Sequence, residues 1–165
     1  MPIINRGYYA RVAAIESVVT RFVDAHKGDG DGRKAQIVIL GAGLDSGSAL
    51  NVPGYHLIPG DLREIATTRE KLEVAGIDSS VPTLFVSECV LIYMEAQYSR
   101  EWIQWSSDYF TDVSYALYEQ ILPDDAFGRV MMANIKARGC DLLSIGDYPT
   151  IDAQLDRFRV HRFEH

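Results

Sequence analysis

The apolar positions of this chain change their spacing along its length. Residues 6–26 carry apolar side chains three or four apart, which predicts a helix. Residues 35–40, AQIVIL, form a nearly unbroken apolar run, which predicts a strand buried on both faces. The glycines and aspartates of residues 27–34, KGDGDGRK, predict a turn between the two elements.

The alternation of strand and helix continues through the rest of the chain. Strands are predicted at 55–59, in the run 83–93 and at 113–118, and helices at 62–75, 95–110, 125–138 and from Ile151 onward. This order predicts an α/β fold, a three-layer sandwich in which helices cover both faces of a mostly parallel sheet. We expect AQIVIL to be a central strand with TLFVSE (83–88) beside it. The aromatic residues Trp102, Trp105 and Phe110 should pack their helix onto the sheet.

Length and composition narrow the class of protein. With 165 residues, of which 47% are apolar and 24% charged, the chain fits a single globular domain, residues 1–165. It contains no apolar run of the roughly 18 residues that a membrane span needs, and its first residues lack the pattern of a signal peptide. We therefore expect no membrane association.

The net charge and the cysteines indicate which partners and which cellular compartment to expect. Sixteen basic against 23 acidic residues give a net charge of -7, which disfavours nucleic acid. Cys89 and Cys140 are interpreted as free thiols of a reducing, cytoplasmic compartment. The four histidines show no ligand spacing with the cysteines, so no metal site is expected.

The strongest candidate for ligand binding is a glycine turn after the AQIVIL run. In ILGAGLDS, Gly41 and Gly43 would let the backbone turn tightly beneath a ligand at the strand's carboxyl end. Two glycines after a strand can also form a plain turn. Ser46 stands where a dinucleotide-binding motif has its third glycine. This departure favours a ligand without phosphates, such as S-adenosylmethionine.

The connection that follows is short. Only 11 residues, LDSGSALNVPG, separate the glycine turn from the next predicted strand, whereas a crossover between parallel strands needs a dozen or more. The acid that holds a nucleotide's ribose, about 20 residues after the glycine turn, therefore has no place here. Either the sheet is pruned or an insertion is missing, and the sequence leaves both open.

Two acids close predicted strand ends. Asp61 could accept from an adenine amino group, or could cap the next helix together with Glu64. Glu88 lies in an apolar run, where burial without a partner is costly, so it faces a cleft or pairs with a cation, and we favour the cleft. We expect Gly41, Asp61 and Glu88 to converge on one cleft.

Two further side chains are candidates for the same cleft. Arg11, near the apolar face of the first helix, could hold a carboxylate with its guanidinium, although a solvated helix arginine is the commoner case. Tyr93 closes the run VLIYM and is equally well interpreted as a core tyrosine or as a site residue.

Several strings recur together in one known family. INRGYYAR, ILGAGLDS, IPGDLRE, ECVLIYM, YEQILPDDAFGRVMMANIKARGCDLLSI and IDAQLDRF resemble the leucine carboxyl methyltransferases in wording and order, over nearly the whole chain. The resemblance implies a class I, Rossmann-like methyltransferase fold. It also implies S-adenosylmethionine as cofactor and an activity that esterifies the C-terminal leucine carboxylate of the catalytic subunit of type 2A protein phosphatases.

The resemblance also implies roles for individual residues. Arg11 would contact the carboxylate end of the cofactor or the substrate, and Gly41 would lie under the methionine part. Asp61 and Leu62 would hold the adenine, and Glu88 would lie beside the cofactor. Arg11 and Tyr93 are the candidates for orienting the substrate carboxylate.

Three parts of the family pattern have no counterpart in these residues. They are an N-terminal lid with a cofactor lysine, the ribose-acid segment and the strands after the Ile151 helix. We expect the loss of two charge-assisted contacts to weaken cofactor binding by roughly two to four decades. Two other functions stay open, a cofactor-free interaction module with this fold and a small-molecule O-methyltransferase.

Overall fold

The computed structural model describes residues 2–27, 35–41, 54–161 and 163. Its five α-helices in these ranges are α1 (Pro2–His26), α2 (Ile65–Val74), α3 (Ala96–Tyr109), α4 (Ala126–Ala137) and α5 (Ile151–Arg159). The strands are β1 (Gln36–Leu40), β2 (Thr83–Glu88) and β3 (Val113–Tyr118), and a 3₁₀ helix spans Leu91–Tyr93. No helix of the described ranges combines the length and the apolar character needed to cross a membrane.

The three described strands form one parallel sheet in the order β1-β2-β3. Val38 and Tyr115 lie on either side of Phe85 in the register of the sheet. Thr83 to Ser87 are all buried, so β2 is the covered centre of the sheet. The mixed α/β class with a parallel sheet is thereby confirmed.

The two faces of the sheet are covered by different helices. On one face, the ring of Phe85 meets the ring of Trp105 edge-on at 6.1 Å and that of Phe110 at 5.6 Å, so α3 packs on the sheet as predicted. On the other face, Phe22 of α1 packs against Leu84 and Val86. The sheet is therefore the middle of three layers.

The expected central position of AQIVIL is contradicted. Among the described strands, β1 pairs with β2 alone and lies at the edge. Ile37 and Ile39 are 38% and 59% exposed, because α1 packs over β2 and β3 and leaves this part of the face open. An apolar run shows that a strand could be buried on both faces. Whether it is buried depends on where the helices pack. The expected pairing with TLFVSE is confirmed.

Residues 55–59 form no strand, contrary to the sequence-based expectation. An extended segment becomes a strand only where a neighbour accepts and donates hydrogen bonds, and none of the described strands pairs with this one. Helix α2 begins at Ile65 rather than at Leu62, since residues 61–64 form a turn closed by the Glu64 N–H on the Asp61 carbonyl at 2.9 Å. Apart from Lys27, the predicted turn at 27–34 lies outside the described residues. So do residues 42–53, which contain Gly43, Ser46 and all of the short crossover except Gly54.

The packing of β2 makes a stability prediction with a matched control. Phe85→Ala removes a fully buried ring from between α3 and its strand neighbours, and we expect it to lower the free energy of unfolding by about 3 to 5 kcal/mol. Phe127→Ala deletes the same ring at a position that is 77% exposed and should change it by less than about 0.5 kcal/mol. Denaturant unfolding measures both, and equal losses would contradict the assignment of β2 as the core strand.

Candidate functional site

The carboxyl ends of the three strands meet at one edge of the sheet. Strand β1 runs into Gly41, β2 ends at Glu88 and is followed by Cys89, and β3 is followed by Glu119. The Cys89 N–H donates to the Tyr118 carbonyl at 2.7 Å, which joins the loops after β2 and β3. We call this edge, with the residues that follow the three strands, the strand-end site.

Gly41 brings the backbone of one loop against another. Its φ of +71° lies in the left-handed region that glycine adopts freely. A Cβ atom there would lie 2.5 Å from the nearest methyl carbon of Val90, closer than any real contact. Any larger side chain at residue 41 would therefore require the Val90 side chain, or the loops after β1 and β2, to shift.

Arg11 and Glu88 form the charged centre of the strand-end site. The Arg11 Nε donates to Glu88 Oε1, and the guanidinium carbon lies 5.8 Å from the centroid of the Tyr118 ring. The two side chains are 31% and 33% exposed, so each keeps a surface that a ligand can reach. Of the two alternatives for Glu88, the structure thus shows pairing with a cation, at a partly open position.

Tyr93 stands in the 3₁₀ helix that follows β2 and is 39% exposed. Burial, with the nearby Cys89 and Glu119, raises the pKa of its phenol. The hydroxyl is therefore protonated at neutral pH and can donate a hydrogen bond. Burial likewise raises the pKa of the Cys89 thiol, which argues against a thiolate nucleophile.

Asp61 and Leu62 have other partners. The Asp61 carboxylate accepts from the Arg63 Nε and backbone N–H, both at 2.9 Å, and these bonds lower the pKa of Asp61 to about 2. The Leu62 carbonyl accepts from the Trp102 indole at 2.7 Å. Within the described ranges, no hydrogen bond or ion pair joins Asp61 to Arg11 or Glu88. The structure therefore pairs Arg11 with Glu88 at the strand-end site and bonds Asp61 to Arg63, while the expected convergence of Gly41, Asp61 and Glu88 on one cleft stays a prediction.

Glu119 is the residue of this site that the sequence reasoning missed. Its Oε1 accepts from the Leu91 N–H at 3.0 Å, and the N–H groups of Val90 and Ile92 also face the carboxylate. Burial outweighs these contacts and raises the pKa of Glu119 to about 7. Glu119 follows β3 directly, so the strand-end rule applied to Glu88 could have found it.

A second buried charge faces Glu119 from α5. Arg157 is 5% exposed, and its guanidinium carbon lies 4.4 Å from the centroid of the Tyr148 ring. The electrostatic interaction of Arg157 with Glu119 lowers the pKa of the carboxyl and partly opposes the effect of burial. The strand-end site thus contains an accessible charge pair, Arg11 with Glu88, and a less exposed pair, the half-buried Glu119 with the buried Arg157.

These features define a class of protein. A parallel sheet covered on both faces, with a glycine turn after one strand and an acid at the end of the next, is consistent with the class I S-adenosylmethionine-dependent methyltransferase fold.

Comparison with known proteins gives the more particular result. Residues 48–107 match the family model of the leucine carboxyl methyltransferases. The chain is 35% identical to a leucine carboxyl methyltransferase 1 homolog of Arabidopsis thaliana, covering 93% of this chain and 60% of the relative. It is 29% identical to leucine carboxyl methyltransferase 1 of Aspergillus fumigatus, covering 98% and 60%. The resemblance to the leucine carboxyl methyltransferase family is thereby confirmed.

A further relative has a different name. The chain is 27% identical to tRNA wybutosine-synthesizing protein 4 of Homo sapiens, covering 95% of this chain and 30% of that protein. The chain spans about 60% of the length of the two leucine carboxyl methyltransferases given above. The Arabidopsis alignment covers 203 positions although this chain has 165 residues, so that relative has residues within the aligned range that this chain lacks. A chain that lacks residues found in a relative agrees with the predicted crossover of only 11 residues after the glycine turn, which is shorter than parallel strands need.

Gly41 provides a test of the close approach of the loops. Gly41→Ala should lower the free energy of unfolding by more than Gly139→Ala, because both have positive φ, of +71° and +74°, but only Gly41 has a neighbour in the way. We expect a difference of about 1 to 3 kcal/mol, the usual cost of overpacking, measured by denaturant unfolding. Adding Val90→Ala to Gly41→Ala should recover most of it. Equal losses in the two single variants would contradict the close approach.

Glu119 makes a pH prediction. Its folded-state pKa of about 7 lies above the ordinary value near 4.3, so the folded state binds the proton more tightly than the unfolded chain. The free energy of unfolding should therefore fall as pH rises from about 4.5 to 7, and Glu119→Gln should remove that fall, on the order of 1 to 3 kcal/mol. Denaturant unfolding at pH 5 and pH 8 measures it.

The control for this pH prediction is Glu101→Gln, which neutralises an exposed glutamate of α3. It should keep the pH dependence of the unsubstituted chain. An unchanged pH dependence in Glu119→Gln would show that another group titrates in this range.

Proposed function

We propose that this chain is part of an S-adenosylmethionine-dependent carboxyl O-methyltransferase. Its proposed substrate is the C-terminal leucine carboxylate of the catalytic subunit of a type 2A protein phosphatase, in the cytoplasm. The family resemblance supports methyltransferase activity, and the names of the relatives support a leucine carboxyl group as acceptor. The observation that carries the proposal is the Arg11–Glu88 pair beside the Gly41 turn.

The charge pair fits one end of the proposed cofactor. The methionine part of S-adenosylmethionine carries an ammonium and a carboxylate on one carbon, and a partly exposed arginine next to a partly exposed glutamate offers one complementary charge to each. Gly41, with no side chain, lets such a group approach the backbone at the end of β1. Arg11, Gly41 and Glu88 are therefore the residues that would hold the methionine part.

The residues proposed to contact the adenine of the cofactor already have hydrogen-bond partners within the chain. The Asp61 carboxylate could accept from an adenine amino group only while sharing or giving up its bonds to Arg63. The Leu62 carbonyl is bonded to Trp102, so it anchors the turn rather than offering a free acceptor. We retain Asp61 as a proposed adenine contact for which Arg63 competes with the ligand, and Leu62 as one that would use atoms other than its carbonyl.

The proposed methyl transfer requires little acid–base catalysis by the protein. S-adenosylmethionine supplies an activated methyl group on its sulfonium. A C-terminal carboxylate has a pKa near about 3.5 and is already ionised at neutral pH, so no general base is required. Arg11 can hold a carboxylate by charge, and the Tyr93 hydroxyl can orient it by a hydrogen bond. Alignment and exclusion of water are the remaining contributions of the protein.

The tests described below also distinguish the proposed function from three alternatives. The relative named for tRNA wybutosine synthesis raises a nucleic-acid substrate, but a net charge of -7 gives no electrostatic attraction to polyphosphate. A cofactor-free interaction module would not bind S-adenosylmethionine. A small-molecule O-methyltransferase would bind it but would not need a leucine-ended protein.

Cofactor binding provides the first test. Isothermal titration calorimetry at high protein concentration should detect weak binding of S-adenosylmethionine, and Arg11→Ala should weaken it further, by about ten- to a hundredfold, because one charge-assisted contact is lost. Arg21→Ala removes an exposed arginine from the same helix and should leave the affinity unchanged. Equal affinities of the two variants would contradict the role of Arg11.

Methyl acceptance provides the second test. With radiolabelled S-adenosylmethionine, label should enter a type 2A phosphatase catalytic subunit that ends in leucine, as a base-labile ester. A matched subunit without its terminal leucine should accept none. Label in both subunits, or in tRNA alone, would overturn the proposed acceptor.

A further inference from the structure

Glu119 connects the loop after β3 with the loop after β2, a connection in which the Arg11–Glu88 pair takes no part. It follows β3, yet its Oε1 accepts from the N–H of Leu91, which lies in the 3₁₀ helix after β2. The N–H groups of Val90 and Ile92 face the same carboxylate. One side chain thus bonds the first backbone donor of this short helix, which has no partner within it.

The segment that Glu119 holds contains two residues that shape the site. Val90 contacts the Gly41 turn, and Tyr93 closes the 3₁₀ helix through its N–H bond to the Val90 carbonyl at 3.1 Å. Cys89, just before this segment, has a φ of 55°, which is uncommon for a residue with a side chain. A backbone in that conformation persists only where its surroundings fix it, and Glu119 lies next to it.

Three groups with charge or titratable protons face Glu119. Cys89 and Tyr93 approach from the loop after β2, and Arg157 approaches from α5. Within the described ranges, Glu119 Oε2 and the Arg157 Nε and Nη2 are buried without hydrogen-bond partners. The carboxylate therefore has a cation nearby without being bonded to it, and its hydrogen bond, through Oε1, is to the Leu91–Tyr93 helix.

We propose that Glu119 is a positioning residue that orders residues 90–93 and thereby fixes Tyr93 and the Gly41 contact for methyl transfer. The inference rests on the proposed function as far as methyl transfer is concerned, whereas the ordering of the segment can be measured without a ligand. Since the ionised carboxylate is the stronger acceptor, its hold on the segment increases as pH rises through about 7.

Hydrogen exchange of the unliganded chain tests the ordering. In Glu119→Gln, the amide of Leu91 should lose about tenfold in protection, which is one charge-assisted hydrogen bond replaced by a weaker one. Glu101→Gln should leave it unchanged. Should Glu119→Gln fail to fold, Glu119→Asp keeps the charge but shortens the reach, and the same loss is expected. Unchanged protection of Leu91 in a folded Glu119 variant would overturn the proposal.

A double-mutant cycle tests the connection to Tyr93. Glu119→Gln and Tyr93→Phe should each reduce methyl transfer, and the double variant should be little worse than Tyr93→Phe alone, because Glu119 acts through Tyr93. Additive losses would overturn the positioning role.

The two proposals can fail separately. If the unsubstituted chain neither binds S-adenosylmethionine nor transfers a methyl group, the proposed function fails, and Leu91 exchange still decides whether Glu119 orders the segment. If binding and transfer occur and Glu119→Gln changes neither, the proposed function stands and the positioning role fails.

Discussion

The burial of β2 between two helix layers is the constraint on which the rest of the structure depends. Phe85 packs against α3 on one face, Leu84 and Val86 pack against α1 on the other, and both neighbouring strands pair with β2. Because packing on both faces and pairing on both edges fix β2 in place, they also fix the position of Glu88 at its end. Arg11 reaches that glutamate because the same α1 that covers Leu84 carries it to the end of the sheet.

The two charge pairs at the strand ends differ in what they can do. Arg11 and Glu88 are each about one third exposed, so exchanging one partner for a ligand costs little desolvation. Arg157 is buried and Glu119 is half-buried with its Oε2 out of contact with water, where leaving a charge without compensation costs several kcal/mol. The accessible pair is therefore suited to binding, and the less exposed pair to holding the loops in place.

Asp61 and Glu119 show the limits of reasoning from strand ends. Both are acids next to apolar runs, and only the run before Glu119 forms a strand. Because 55–59 pairs with none of the described strands, Asp61 follows no strand end, and its carboxylate is bonded to the adjacent Arg63. Glu119, by contrast, is carried by β3 to the same edge as Glu88.

The sequence by itself determined what depends on neighbours along the chain. It defined β3 and α3 to within a residue or two, the packing of Trp105 and Phe110, and the family resemblance. Only the tertiary structure decided that AQIVIL lies at the edge of the described sheet, that Arg11 bonds to Glu88, and that Glu119 holds the backbone after a different strand. These facts join residues 28 to 77 positions apart. Periodicity records which side of an element is apolar, whereas contacts at such separations depend on how the elements pack together.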